Sequence, residues 1–373
     1  MKTLNADRKR IICSNPDSIF RYFGWPSVAR LQDGTLAMTC SGFRLKHICP
    51  FGKAVISYSR DEGEHWTRPA PVIDTILDDR DSGIVPFKDN RVIMTSFNNS
   101  IAQQHIWNGV QSGEHSWKED SLRALSEAYL SAAEQDGRES DFLGSTYKIS
   151  EDGGYTFGEL RRLPVSAPHG PCLLNDGGLL FVGHDFHFLK SEQDHVQVYK
   201  MNSRDEFEFL TTIENVRSKN GKLFLQCEPH AIQLPDGKII VHSRVEGQDG
   251  DECKFTTYQS ESYDGGKTFS KPHQILADKG GAPAHLYLHS SGVLMSLYGY
   301  REAPYGVRAM FSRDEGETWD TDYVLDMDGQ SGDLGYPASV ELNDGRMLTV
   351  FYENIGDQCV IMKRVWTLPE NIL

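Results

Sequence analysis

Six short segments of the chain carry side chains that can move protons or hold charge, each at the entrance to a strand-like run. They read YFGWPSVARL, DDRDSGIVPF, SAPHGPCLL, CEPHAIQL, GGAPAHLYL and LGYPASVEL. Between them they supply Trp25, Asp79, Arg80, Asp81, His169, Glu228, His230, His285 and Tyr336, with Asp333 directly before the last segment. A packed core would place Val or Ile at such points, so polar groups at six corresponding positions point to a shared pocket. Carboxyl, imidazole and phenol groups there suit general acid–base work. A further segment, SGFRLKHICPFG, adds Arg44 and His47. For the three strand-entrance histidines, ordinary packed and hydrogen-bonded roles compete with the pocket reading.

Each segment leads into an apolar run, a tight turn and a second apolar run. The turns are Asp33-Gly34, Asp89-Asn90, Asp176-Gly177, Asp236-Gly237, Ser291-Gly292 and Asp344-Gly345. Asp-Gly and Asp-Asn suit hairpins because both central residues tolerate positive φ. The turns recur about every 55 residues, except for one long interval that contains residues 101–145. There KEDSLRALSEAYLSAAEQ has helical spacing, with Leu122, Leu125, Tyr129 and Ala132 on one face. It reads as a helical insertion in the second repeat, placed to cover a neighbouring subunit or roof the pocket.

A second motif, S-x-D-x-G-x-x-W/F, starts at Ser59, Ser150, Ser262 and Ser312, with a worn copy at Ser203. This is the Asp box, in which Ser and Asp bond backbone N–H groups and the ring plugs the sheet below. Its aspartates therefore read as folding staples on the outer rim, not as catalysts. Six units of about four strands predict an all-β fold, a six-bladed β-propeller. After the sixth turn only three strands remain, so N-terminal KRIICS is expected to complete that blade and close the ring. All 373 residues then form a single domain.

Asp boxes on six blades resemble the sialidase (neuraminidase) superfamily over nearly the whole chain. The more specific likeness runs repeat by repeat. Glu228 in CEPHAIQLPDG is followed sixteen residues on by Arg244 in IIVHSR. Tyr336 opens YPASVELNDG, which runs on to Tyr352-Glu353. Arg301 and Arg308 in GYREAPYGVRAMFS both lie ahead of an Asp box. The resemblance implies a Tyr336 nucleophile with Glu228 as its general base. It also implies a clamp for a substrate carboxylate made of Arg244 with Arg301 or Arg308. A neutral phenol suits a substrate whose own carboxylate would repel an anionic nucleophile. Two departures stand out. The family's Y-R-I-P is Phe23-Gly24-Trp25-Pro26 here, so Gly24 replaces the first clamp arginine. No carboxylate lies between Asp33 and Asp61, where the family keeps its general acid. His47, or Asp79 and Asp81 of the DDRD run, must then supply the acid. These departures fit a glycosidase for another sugar, a different acidic one included, with Trp25 as a stacking face.

The net charge of −15 argues against a general nucleic-acid binder. No run of about 18 apolar residues is present to span a membrane. MKTLNADRKRIICSNPD lacks the apolar core of a secretion signal, and seven cysteines without a C-x-x-C pair suit a reducing compartment, so a cytoplasmic protein is expected. Neither H-E-x-x-H nor H-x-H occurs, so no metal and no cofactor is expected. The expected partner is an oligosaccharide or glycoside. The first expectation is a hydrolase acting on an oligosaccharide end. The alternatives are a lyase using His and Tyr on a uronate and a sugar-binding propeller without catalysis.

Overall fold

The structure, a computed structural model, describes residues 1–112, 116–184, 195–278 and 281–373. It is an all-β, propeller-like arrangement of antiparallel sheets in which sequence-adjacent strands are hydrogen-bonded neighbours. Three sheets have four strands each, and their innermost strands are Arg80–Phe87, Cys172–Leu173 and Leu225–Gln233. A five-stranded sheet starts from Ala284–Leu288 and carries the N-terminal Lys2–Thr3 in parallel on its outer edge. The expected six separate blades are corrected here. The hydrogen bonding separates only these four sheets, and the first and last repeats run together in a nine-stranded fifth. The join is a single parallel pair, Cys359 with Tyr22, at the point where the two ends of the chain meet. Arg10–Cys13 pairs antiparallel with Gln358–Thr367, so the N-terminal KRIICS segment does lie on the last repeat.

The four full Asp boxes fold alike. In the first, Ser59 Oγ donates to Asp61 Oδ1 at 2.8 Å and accepts from the Gly63 amide at 2.9 Å. The His65 amide closes the turn on Asp61 Oδ1 at 2.9 Å. The boxes at Ser150, Ser262 and Ser312 repeat these bonds. Each following ring, Trp66, Phe157, Phe269 or Trp319, packs on an apolar cluster between sheets. The Asp61 and Asp152 carboxyls are held well below the usual carboxylate range by hydrogen bonds from their own turns. Such groups stay ionised and accept hydrogen bonds, which suits a staple and not a proton donor.

Between strands Arg91–Phe97 and Ser145–Ser150 lie α1 (Ile101–Asn108), α2 (Asp120–Asp136) and α3 (Glu139–Phe142). The buried side of α2 is Ser126, Leu130 and Ala133, while Leu125 is exposed. The inward face is thus turned by one position from the expected one, because Leu130 and Ala133 pack on Leu77 and Ile101. The insertion backs the segment that leads into Arg80–Phe87. Gln104 Nε2 donates to Asp78 at 3.0 Å, and Tyr129 Oη donates to the Ile76 carbonyl at 3.2 Å.

Asp326, Asp328 and Glu353 converge closely enough to hold a cation, and the ammonium of Lys9 occupies that place. It donates to Glu353 at 2.9 Å and Asp326 at 3.3 Å, with Asp328 closing the group. Burial pushes the carboxyls of Asp326 and Glu353 up, so they need that charge. Lys9→Met is expected to lower stability by about 2–4 kcal/mol at pH 7, because it strands buried carboxylates. The loss should shrink as pH is lowered from 7 to 5, because raised carboxyls take up protons earlier on the way down. Urea unfolding at both pH values checks this, and an equal loss at each would reject the clasp.

Candidate functional site

The innermost strands share one backbone device. Trp25, Asp81, Glu228 and Tyr336 have φ of 56°, 36°, 49° and 48°, a left-handed region that side-chain-bearing residues rarely adopt. At each the strand register slips: between Gly24 and Ser27, Arg80 and Gly83, Cys227 and His230, and Gly335 and Ala338. These are β-bulges, which re-aim a side chain that strict alternation would send elsewhere. Each such residue costs roughly 1–2 kcal/mol of backbone strain. Three of the four precede proline, as Trp25-Pro26, Glu228-Pro229 and Tyr336-Pro337. Gly170-Pro171 and Ala282-Pro283 mark the corresponding places in the other two repeats with little or no side chain.

The bulges bring Tyr336 and Glu228 together. The phenol donates to Glu228 Oε1 at 2.5 Å, and Arg244 Nη1 donates to Glu228 Oε2 at 2.8 Å. Tyr336 is 4% and Glu228 7% exposed, so both are shielded yet still touch solvent. Burial and then the Glu228 charge push the phenol well above its ordinary value. Burial would also raise Glu228, but Arg244 and the Tyr336 hydrogen bond outweigh it and hold the carboxyl below 4.5. Arg244 is itself gripped by Glu246, through Nη2 and, at 3.2 Å, Nε. Glu246 was not foreseen, although its i+2 spacing from Arg244 on one strand puts both on the same face.

Arg301 joins the group and Arg308 does not. The Arg301 guanidinium lies 5.4 Å from the Tyr336 ring, with Nη2 donating to Tyr352 Oη at 3.2 Å and Nε to the Leu334 carbonyl at 3.0 Å. Arg308 is buried and donates to the carbonyls of Asp326 and Pro304, so it serves its own sheet. Asp333 anchors a second cluster. Its carboxylate accepts from Tyr22 and Tyr352 at 3.0 Å each and lies 2.8 Å from His47 Nδ1. Burial opposes its charge, but His47, Asn354 and Arg301 outweigh that and hold it well below the carboxylate range. Tyr22 was not foreseen as part of this cluster.

Three other expectations are corrected by burial. Trp25 is 1% exposed, so its ring offers no stacking face. It forms a wall with Arg80 4.2 Å above it and His47 and Tyr352 against its edges. Arg44 is fully buried, paired with Asp78 and bonded to Ser41 and the His47 carbonyl. Asp79 is fully buried and accepts from the Thr75 amide at 2.6 Å and from Asn98, which fixes the turn before the strand. Neither can meet a substrate.

Asp81 differs from its neighbours. It is 3% exposed and its Oδ1 has no hydrogen-bond partner. Burial pushes it to about 7, with Arg80 opposing and Glu228 adding to the rise. His169, His230 and His285 do gather, with ring centroids 4.5–5.4 Å apart. Burial and mutual repulsion keep all three well below 6.5, so they are neutral. Ser27 Oγ meets His169 Nδ1 at 3.0 Å, and the Leu286 amide donates to His230 Nδ1 at 2.9 Å. Among the described residues, His169 Nε2 and His285 Nδ1 are buried without partners.

The folded state of wild-type protein binds the Asp81 proton more tightly than the unfolded chain, so this group costs stability as pH rises from about 4 to 7. Asp81→Asn removes that dependence. Its melting temperature relative to wild type should climb between pH 5 and pH 8, as read by calorimetry; a pH-independent difference would show that Asp81 titrates normally.

Similar structures support the architecture. A protein of unknown function from Dyadobacter fermentans is 19% identical, covering 98% of this chain and 99% of its own, with a TM-score of 0.77. The intramolecular trans-sialidase of Ruminococcus gnavus is 13% identical over 98% of each chain, TM-score 0.65. The sialidase of Trypanosoma rangeli, solved with sialic acid, is 12% identical, TM-score 0.63; the match covers 98% of this chain and 60% of that one. At such identities the likeness shows the fold alone. Among curated proteins none matches the sequence. Among the described residues no helix is long and apolar enough to cross a membrane. Residues 89–349, well over half the chain, match the family model of the BNR repeat-like domain, and the chain is a sialidase-like member of that family.

Proposed function

We propose that the chain, acting as one domain, is a glycoside hydrolase that works on the end of an oligosaccharide. The observation that carries this reading is the Tyr336–Glu228 contact of 2.5 Å with Arg244 on the far carboxylate oxygen. A phenol is a weak nucleophile until a base takes its proton, and an adjacent ionised carboxylate is such a base. The sialidases of similar fold bind sialic acid or act as sialidases by name, which supports a sugar substrate.

In the proposed reaction Tyr336 Oη attacks the anomeric carbon while its proton passes to Glu228. Asp81 gives its proton to the departing glycosidic oxygen as that bond breaks. Water then attacks the glycosyl–tyrosine bond, with the Asp81 carboxylate taking the water proton. Tyr336 leaves and recovers its proton from Glu228. Two displacements give net retention. Asp81 suits the acid role better than His47, because its carboxyl carries a proton near neutral pH and has an unpartnered oxygen. His47 is turned toward Asp333 and Tyr22, where it positions the wall beside Trp25.

Tyr336→Phe should lower kcat on any accepted glycoside by at least about a thousandfold while the fold survives, as read by circular dichroism. Hydrolysis retained in that variant would remove Tyr336 as nucleophile. The wild-type rate should fall as pH rises through about 7, where Asp81 loses its proton. It should fall again in acid, below the ordinary glutamate range, where Glu228 gains one. A rate that keeps rising above pH 7 would reject Asp81 as the acid.

A further inference from the structure

The charges of this site are closed on one another before any ligand enters. Arg44 and Asp78 form a fully buried pair. Arg244 is held by Glu228 on one side and Glu246 on the other. Arg301 shares the Tyr352 phenol with Asp333, and that phenol donates to the carboxylate at 3.0 Å. Arg80 donates to the His47 carbonyl and faces Asp78 at 3.5 Å. Four guanidinium groups thus stand with four carboxylates, and Asp81 is a fifth acidic group that is partly ionised at neutral pH. A sugar carboxylate would find each of these guanidinium groups already engaged and would have to displace a resident partner in a desolvated site, which is costly.

Restoring the missing arginine would crowd the rings beside it. A Cβ on Gly24 would lie 3.2 Å from the Tyr22 ring and 3.7 Å from that of Tyr352. Among the described residues, what the inner strands leave unpaired is of another kind: Asp81 Oδ1, His169 Nε2 and His285 Nδ1, all at least nine-tenths buried. A carboxylate only accepts hydrogen bonds, so it can serve an imidazole nitrogen only in the tautomer that carries hydrogen there, and it cannot serve an ionised Asp81 oxygen. A hydroxyl can, and it suits either imidazole tautomer by giving or accepting.

We propose that the site selects an uncharged, hydroxyl-rich glycosyl group and turns away sugars that bear a carboxylate. The proposal names the substrate class of the hydrolase reading and rests on it for turnover only; binding tests it alone. Equilibrium binding to Tyr336→Phe should be measured at pH 7 with D-glucose, D-galactose and D-mannose against D-glucuronate, D-galacturonate and N-acetylneuraminate. At least one neutral sugar should bind about tenfold or more tighter than every acid. Glu246→Gln loosens Arg244 and should gain several-fold in affinity for the uronates. An acid that binds more tightly than its neutral counterpart overturns the proposal, as does failure of all three neutral sugars to bind. Selective binding together with no wild-type hydrolysis of the matching aryl glycosides would sink the hydrolase reading and leave the selectivity standing. Hydrolysis of a sialoside or a uronide would do the reverse.

Discussion

One backbone constraint governs the site: each functional inner strand must hold a residue with a side chain in left-handed conformation at a bulge. In a regular strand, side chains alternate between the two faces of the sheet, and both faces of the Glu228 sheet pack against neighbouring sheets. No position of an unbroken strand would send a phenol or carboxyl toward the axis. The bulges at Trp25, Asp81, Glu228 and Tyr336 do so, each at roughly 1–2 kcal/mol of strain. That strain is tolerable because the surrounding sheets leave the bulges no slack. Immediately beyond them lie buried, regularly paired residues such as Ala338 with Val350 and His230 with His242. Strain gathered at four corresponding points of one ring, each bearing a group capable of chemistry, is a pattern that packing alone does not require.

The electrostatics follow from that placement. Glu228 and Asp81 face one desolvated space, yet their proton affinities are driven apart. Glu228 has Arg244 on one oxygen and a phenol on the other, and it stays ionised. Asp81 has an unpartnered oxygen and the Glu228 charge nearby, and it holds its proton to about 7. Two carboxyls with opposed shifts are what the proposed reaction needs, a base and an acid of similar kind. Arg244 is central to the difference. Without it Glu228 would compete with Asp81 for protons and the phenol would lose its acceptor.

Much of this was legible in the sequence, for reasons that differ by residue. The Asp boxes could be read because their bonds are local, set within a few residues of Ser59, Ser150, Ser262 and Ser312. Tyr336, Glu228 and Arg244 could be read because a family pattern fixes their spacing. Burial could not. Arg44 and Asp79 look like pocket residues until Asp78, Thr75 and the α1 side chain Gln104 enclose that loop, and those contacts depend on an insertion whose packing no spacing rule gives. The inward face of α2 was missed by one position for the same reason. Arg308 and Arg301 are separated in sequence by one hairpin, and only the fold shows that one arginine turns to its own sheet. Repeated X-Pro steps at the strand entrances were a signal that went unused: five of the six repeats carry one, and in three of them the residue before proline is a left-handed side chain of the site.

The division of labour between rim and hub then has a physical basis. The rim boxes are exposed, ionised and satisfied by their own turns, so they hold hairpins without drawing on the centre. The seam between the first and last repeats is shared by the Cys359–Tyr22 pair, the Arg10–Cys13 strand and the Lys9 cluster. Tyr22 belongs to both the seam and the Asp333 cluster, and Leu334–Glu341 carries Tyr336 into the same sheet. Joining the ends of the chain therefore also sets the distance between the Tyr336 bulge and the wall formed by Trp25 and His47. A loosened seam would move Tyr336 relative to Glu228, which sits on a separate sheet. The contact on which the chemistry depends is thus made between two sheets that no hydrogen-bond ladder connects, and closure of the chain is what holds them in register.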